Sequence, residues 1–131
     1  MKLTKHSENR LLESMNYWRM PRDHVAPLYN YLVYGYEPGS FFFSLLANDA
    51  IGAITHSHSG NTIPALKTVV GWMQDKCPRI AWGSHENVVS WIKMSDNQRR
   101  AVLEDWGLIF TEEEEIMLIL KNERTVEPLF I

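Results

Sequence analysis

Four sets of side chains in this sequence could carry chemistry. The first is His56 and His58, two apart in a stretch of Ser and His, with Cys77 and His85 downstream. Zinc takes three or four nitrogen or sulfur ligands in a tetrahedron, and an extended His-x-His loop can supply two. The spacing fits no standard zinc module, so a solvated loop is the simpler reading. The second set is Cys77 or Ser84 with His85 as base. Such a pair needs contact and a third, orienting group. Cys77 precedes Pro78 on the flank of an apolar stripe, the place of an inert core thiol. The third set is Asn48-Asp49, inside the most apolar stretch of the chain. A carboxylate there must be paired, hydrogen-bonded or protonated. With His56 or His85 it could work as an acid or base in hydrolysis. Alternatively, Asn48 and Asp49 satisfy the backbone of the loop near His56 or Asn61, which is the reading favoured here. The fourth set is aromatic. Tyr17, Trp18, Tyr29, Tyr31, Tyr34 and Tyr36 crowd the first third of the chain. Tyr29 and Tyr31 cannot both share the helix face of Leu28 and Leu32, so some rings are expected at the surface. Exposed Tyr and Trp serve protein interfaces and base stacking, and the same rings can simply fill a core.

Helices must position these groups. Ser7 is placed to cap a first helix carrying Leu11, Leu12, Met15 and Trp18 on one side. After Pro21, a second helix carries Val25, Leu28, Leu32 and Val33, and Pro27 limits its firm part to the residues that follow. Gly35, Pro38 and Gly39 mark a turn. Residues 40–55, with Phe41, Phe42, Phe43, Leu45, Leu46, Ile51 and Ile54, read as one helix, apolar nearly all round and therefore central. Ser44, Asn48, Gly52 and Thr55 form its small or polar stripe. Thr62 with Pro64 starts a helix bearing Ile63, Leu66, Val69, Val70 and Met73, and Pro78 ends it. Trp82-Gly83-Ser84 is a turn, and Ser84 caps a short helix with Val88, Val89, Trp91 and Ile92. Ser95 with Gln98 is a capping box for a helix that packs Val102, Leu103 and Trp106 and stops at Gly107. Thr111 with Glu114 repeats that pattern, and Glu112–Glu115 reads as a solvated helix start. Ile116–Leu120 suits a helix or a buried strand, and the apolar end Leu129-Phe130-Ile131 is expected to dock on the domain.

The sum is a mainly α, compact single-domain bundle over 1–131, of about six helices, with room for a short C-terminal β element. Its length of 131 residues suits one domain, and 45% apolar with 22% charged residues is ordinary for a globular chain. A net charge of −3 argues against a duplex-binding surface. Residues 85–106 have a helix-turn-helix outline with Arg99-Arg100 in the second helix, but without a basic surround DNA is not the expected partner. One cysteine allows no intrachain disulfide, and no apolar run is long enough to span a membrane. The N-terminal residues lack the apolar core of a signal peptide, so a cytoplasmic location is expected.

Residues 21–92 resemble a family of small uncharacterised bacteriophage and prophage proteins. The matching residues are Gly35, Pro38-Gly39-Ser40-Phe41, Leu46, Asn48-Asp49, Asn61, Leu66, Cys77-Pro78, Trp82-Gly83-Ser84 and Trp91. Family members usually carry an acidic, Arg-containing loop where this chain has His56-Ser57-His58-Ser59. On this resemblance, 1–20 and 93–131 are additions packed on a family-like core. The resemblance implies a phage accessory protein working in the cytoplasm of an infected bacterium, and marks Asn48, Asp49, Asn61 and Trp82. It carries no known activity.

The expected function is therefore binding rather than catalysis: inhibition or redirection of a host or phage protein, in counter-defence or takeover, without a cofactor. Tyr34, Tyr36, Asn48, Asp49, Asn61, Trp82 and Ser84 are the expected binding residues. His56, His58 and His85 remain weak candidates for a metal. Two alternatives stand beside this. One is a binder that sequesters a nucleotide signal, stacking the base on aromatic rings and holding phosphate with Arg79 or Lys76 and the helix starts at Ser84 or Thr62. The other is a hydrolase using Asp49 and a His. The same rings also admit self-association.

Overall fold

Helix α2 (Arg22–Tyr34) is the element around which the others pack. Leu28, Tyr29, Tyr31, Leu32 and Val33 are all buried, so its C-terminal half meets protein on several sides. Some Tyr rings do lie at the surface, Tyr17 and Tyr36, while Tyr29 and Tyr31 are both within the core. Their hydroxyls explain how: Tyr31 donates to the Ala81 carbonyl at 2.6 Å and Tyr29 to the Glu8 carboxylate at 3.4 Å. A buried phenol is tolerated when its hydroxyl has a partner. Pro27 sits inside this helix rather than at its start, and Gly35 closes it with φ of 71°.

The computed structural model describes residues 2–57 and 62–111. In chain order the elements are β1 (Lys2–Leu3), α1 (Lys5–Tyr17), α2, α3 (Ser40–Leu46), α4 (Ala50–Thr55), α5 (Ile63–Lys76), α6 (His85–Lys93), α7 (Asp96–Asp105) and β2 (Phe110–Thr111), with one 3-10 turn at Arg79–Ala81. The protein is mainly helical and compact. Its short two-stranded sheet pairs Lys2 with Thr111 and Leu3 with Phe110, antiparallel, so the first residues close against the end of the described chain. Among the described residues a core cluster runs from Leu3 to Phe110. The readings of residues 112–131, and those at His58 and Asn61, lie outside the described residues.

Local signals explain most boundaries. Thr62, Ser84 and Ser95 cap their helices through their hydroxyls, and Ser95 with Gln98 forms the full capping box. The first helix departs from expectation. Thr4 is its cap, accepting from Ser7 N, while Ser7 is buried in the first turn and its hydroxyl accepts from Ile109 N at 2.8 Å. Ser7 thus holds α1 to the strand-bearing end. On the other side α5 crosses α1 closely: a Cβ on Gly71 would strike the Trp18 ring, and Trp72 Nε1 donates to Ser14 at 3.0 Å.

The largest correction concerns residues 40–55. They form two short helices, not one, and the segment is not the spine of the bundle. Asn48 adopts a left-handed φ of 62°, and Asp49 then caps α4 by accepting from Gly52 N at 2.9 Å. Asn tolerates that conformation and Asp favours a cap, so this pair breaks the helix that apolar content alone would extend. α3 buries Phe41 and Leu46, α4 buries Ala53 against α3, and Ile51 and Ile54 point to solvent at 80% and 71% exposure.

Arg99 is the buried ion of the fold, at 3% exposure. Its guanidinium donates to the Met94 carbonyl at 2.6 Å, the Trp91 carbonyl at 3.4 Å and the Asp96 carboxylate at 3.0 Å. It also fills the space beside Gly35, where a Cβ would collide with it. Arg99→Leu would strand two carbonyls and should cost about 2–4 kcal/mol in urea unfolding. Gly35→Ala, strained by its positive φ as well, should cost more than about 1 kcal/mol. Equal midpoints for wild type and both variants would contradict this assignment.

Burial raises the phenol of Tyr31, and burial with the nearby Glu8 carboxylate raises that of Tyr29, above the ordinary 10.0. Burial raises the Cys77 thiol above 9.0. These groups stay protonated in the folded chain at pH values where the unfolded chain ionises. Their contribution is complete below about pH 9 and falls as pH rises through 9–10 and beyond. Urea midpoints should therefore drop between about pH 8 and pH 10.5, and Cys77 should react with a thiol reagent only on unfolding. A flat profile would refute it.

Candidate functional site

The candidate site is the corner where α3 turns into α4. Its sharpness follows from three residues. Asp49 N–H bonds back to the Ser44 carbonyl at 2.9 Å, and Ala53 N–H to the Asp49 carbonyl at 2.9 Å. Gly52 lies between: a Cβ there would collide with the Asp49 carboxylate and the Ser44 hydroxyl. The stripe of Ser44, Asn48 and Gly52 thus marks the close approach of two short helices.

One main-chain bond hangs this corner on the frame. Gly83 N–H donates to the Leu46 carbonyl at 2.7 Å. Edge-on contact of His85 with the Phe43 ring, centroids 4.9 Å apart, adds to it. The structure therefore brings the Asn48-Asp49 turn near Trp82-Gly83-Ser84. Each of these positions has a structural role. Asp49 is a cap, Ser84 is a cap, and Trp82 Nε1 donates to the Cys77 carbonyl at 3.2 Å. Arg79 lies 4.5 Å from the Trp82 ring centre, covering a face that a base would need. Tyr34 and Tyr36 form a tilted ring pair, centroids 5.6 Å apart, with Tyr36 exposed.

The chemistry considered for these groups does not assemble around Asp49 and His56. They stand at opposite ends of α4, about 10 Å apart along its axis at 1.5 Å per residue. Cys77 is buried with its thiol pushed up, the wrong direction for a nucleophile. Among the described residues no group of three or more His, Cys, Asp or Glu is placed to hold a metal ion. Neither arginine of the helix-turn-helix outline is free for phosphate: Arg99 is buried, and Arg100 pairs with Glu104 at 2.7 Å. No helix of the described residues is long and apolar enough to cross a membrane.

Two concavities stand out among the described residues. The larger, about 820 Å³, lies between α1 and the end of α5, lined by Tyr17, Trp106 and Leu108 among others. Two of its charged groups bond internally: Arg10 donates to the Gly107 carbonyl at 2.8 Å and Asp75 accepts from Trp18 Nε1 at 3.0 Å. The smaller, about 420 Å³, lies beside the corner and is lined by Asp23, His24, Pro38, Phe41, Phe42 and His56. Of these, sequence reading named only His56 as a candidate site residue. It also missed Ile51 and Ile54 as surface residues, although Asn48-Asp49 followed by Gly52 was the available signal for a break.

No family model, curated protein or solved structure matches the chain. If Asp49 is a cap, Asp49→Ala should destabilise the fold by about 1 kcal/mol, and Asp49→Asn by only a few tenths. A thermal melt of the two variants decides it, and equal losses would mean the carboxylate charge itself is required.

Proposed function

We propose that this protein works by docking on another protein through the α3–α4 corner, as a small phage-type accessory factor that inhibits or redirects a host component. One observation carries the docking: Ile51 and Ile54, adjacent on a helix of six residues, are 80% and 71% exposed. A short helix whose buried apolar contribution is Ala53 gains little stability from presenting two isoleucines to water. Apolar side chains clustered at a surface mark contact sites. Ile63, at the start of α5, is exposed as well. The likeness of residues 21–92 to phage proteins supports the accessory role and the bacterial cytoplasm as its setting. Binding at the corner needs no nucleophile, metal or cofactor.

The test uses Ile51→Ser/Ile54→Ser. Both side chains are outside the core, so the double variant should melt within about 1 kcal/mol of wild type. A protein captured from bacterial lysate by the wild type, then purified and titrated, should bind the double variant at least about tenfold more weakly. Equal affinity would move the contact elsewhere. Stabilisation of the wild type by a nucleotide, with no captured protein, would favour the ligand-binding reading instead.

A further inference from the structure

The charge of the chain is unevenly placed. From Asp23 to Leu66 there is no Lys or Arg, while Asp23, Glu37 and Asp49 are all acidic. The rest of the chain holds all thirteen bases and thirteen acids, so this one segment carries the whole net charge of −3. It comprises nearly all of α2, α3 and α4, and thus the corner. Its cavity of about 420 Å³ has the Phe41 and Phe42 rings in its lining, 5.0 Å apart and edge to face, with Asp23 and the imidazoles of His24 and His56. Among the described residues Asp23 has no ion-pair partner. Arg22 precedes it in sequence but does not line the cavity.

We infer that this cavity is a socket for a cationic side chain, Lys or Arg, of a protein partner that rests its apolar centre on Ile51 and Ile54. Ring faces attract a cation and take up its alkyl stem, and a carboxylate in the same lining sets the charge preference. The volume lies within the range of small ligand sites and accepts a long side chain. A segment with three acids and no Lys or Arg disfavours nucleic acid and anionic lipid alike, which leaves a basic protein surface as the complementary partner. The partner class is thus a protein or helix with basic residues around an apolar patch. This inference rests on the docking reading and adds the sign of the partner's charge.

The test titrates full-length protein with a labelled amphipathic helix of Lys and Leu, read by anisotropy, beside the Glu/Leu helix of the same pattern. The Lys/Leu helix should bind and weaken as salt is raised, and the Glu/Leu helix should not bind. Asp23→Asn, at an exposed position of the first turn of α2, should weaken Lys/Leu binding roughly two- to fivefold. Replacing the peptide lysines by norleucine should do the same with the protein unchanged. Glu13→Gln, on the larger groove, should have no effect. Absence of Lys/Leu binding, equal binding of the Glu/Leu helix, or an Asp23→Asn variant that binds as wild type would overturn the socket. Should Ile51→Ser/Ile54→Ser lose the captured protein while Asp23→Asn keeps it, the corner remains a docking site and only the cationic preference falls.

Discussion

A chain of buried polar contacts through α2 sets everything else. Tyr31 donates its hydroxyl to Ala81, its carbonyl accepts from Trp91 Nε1 at 3.0 Å, and the Trp91 carbonyl accepts in turn from Arg99. Four elements are joined by three bonds: the 3-10 turn, α2, α6 and α7. Each bond lies in a medium where a missing partner costs more than the bond itself contributes. The arrangement leaves few alternatives for how these elements sit. It fixes the Trp82-Gly83 turn, and through Gly83 it fixes Leu46 and the corner that follows.

That frame clarifies the division of the molecule. Apolar area on α2, α5, α6 and α7 is spent inside, on Leu28, Leu32, Val69, Trp72, Val88, Trp91 and Leu103. α4 contributes only Ala53 to burial and is attached through α3. An element so placed adds little to the core, and its exposed isoleucines are free to contact something else. The same stretch of sequence carries acids and no Lys or Arg.

Much of this was legible in the sequence, and the failures have one physical cause. Caps at Thr62, Ser84 and Ser95, the stop at Gly35 and the break at Pro78 depend on a few neighbouring residues, and local signals are readable locally. The packing of Leu11, Met15, Val69, Met73, Val88 and Leu103 follows from periodicity. Centrality does not. Phe41-Phe42-Phe43 with Leu45 and Leu46 outweighed the Tyr-rich α2 in apolar content, yet α2 is central because its hydroxyls find carbonyl and carboxylate partners from distant segments. Those partners, Ala81 and Glu8, are 50 and 21 residues away. The Asn48-Asp49 pair was noticed for its chemistry, when its conformational preference was the stronger fact. A cavity assembled from residues 23 to 56 has no signature at any single position.

Native-state hydrogen exchange tests the division between frame and corner most directly. Amides of Leu32, Val33 and Trp91 should exchange only through global unfolding, with the full free energy measured in denaturant. Amides of Ala53 and His56, in and just after α4, should exchange through a local opening at clearly lower free energy, leaving the frame intact. Protection of α4 equal to that of α2 would contradict the account, because the corner would then be part of the structure that holds the molecule together.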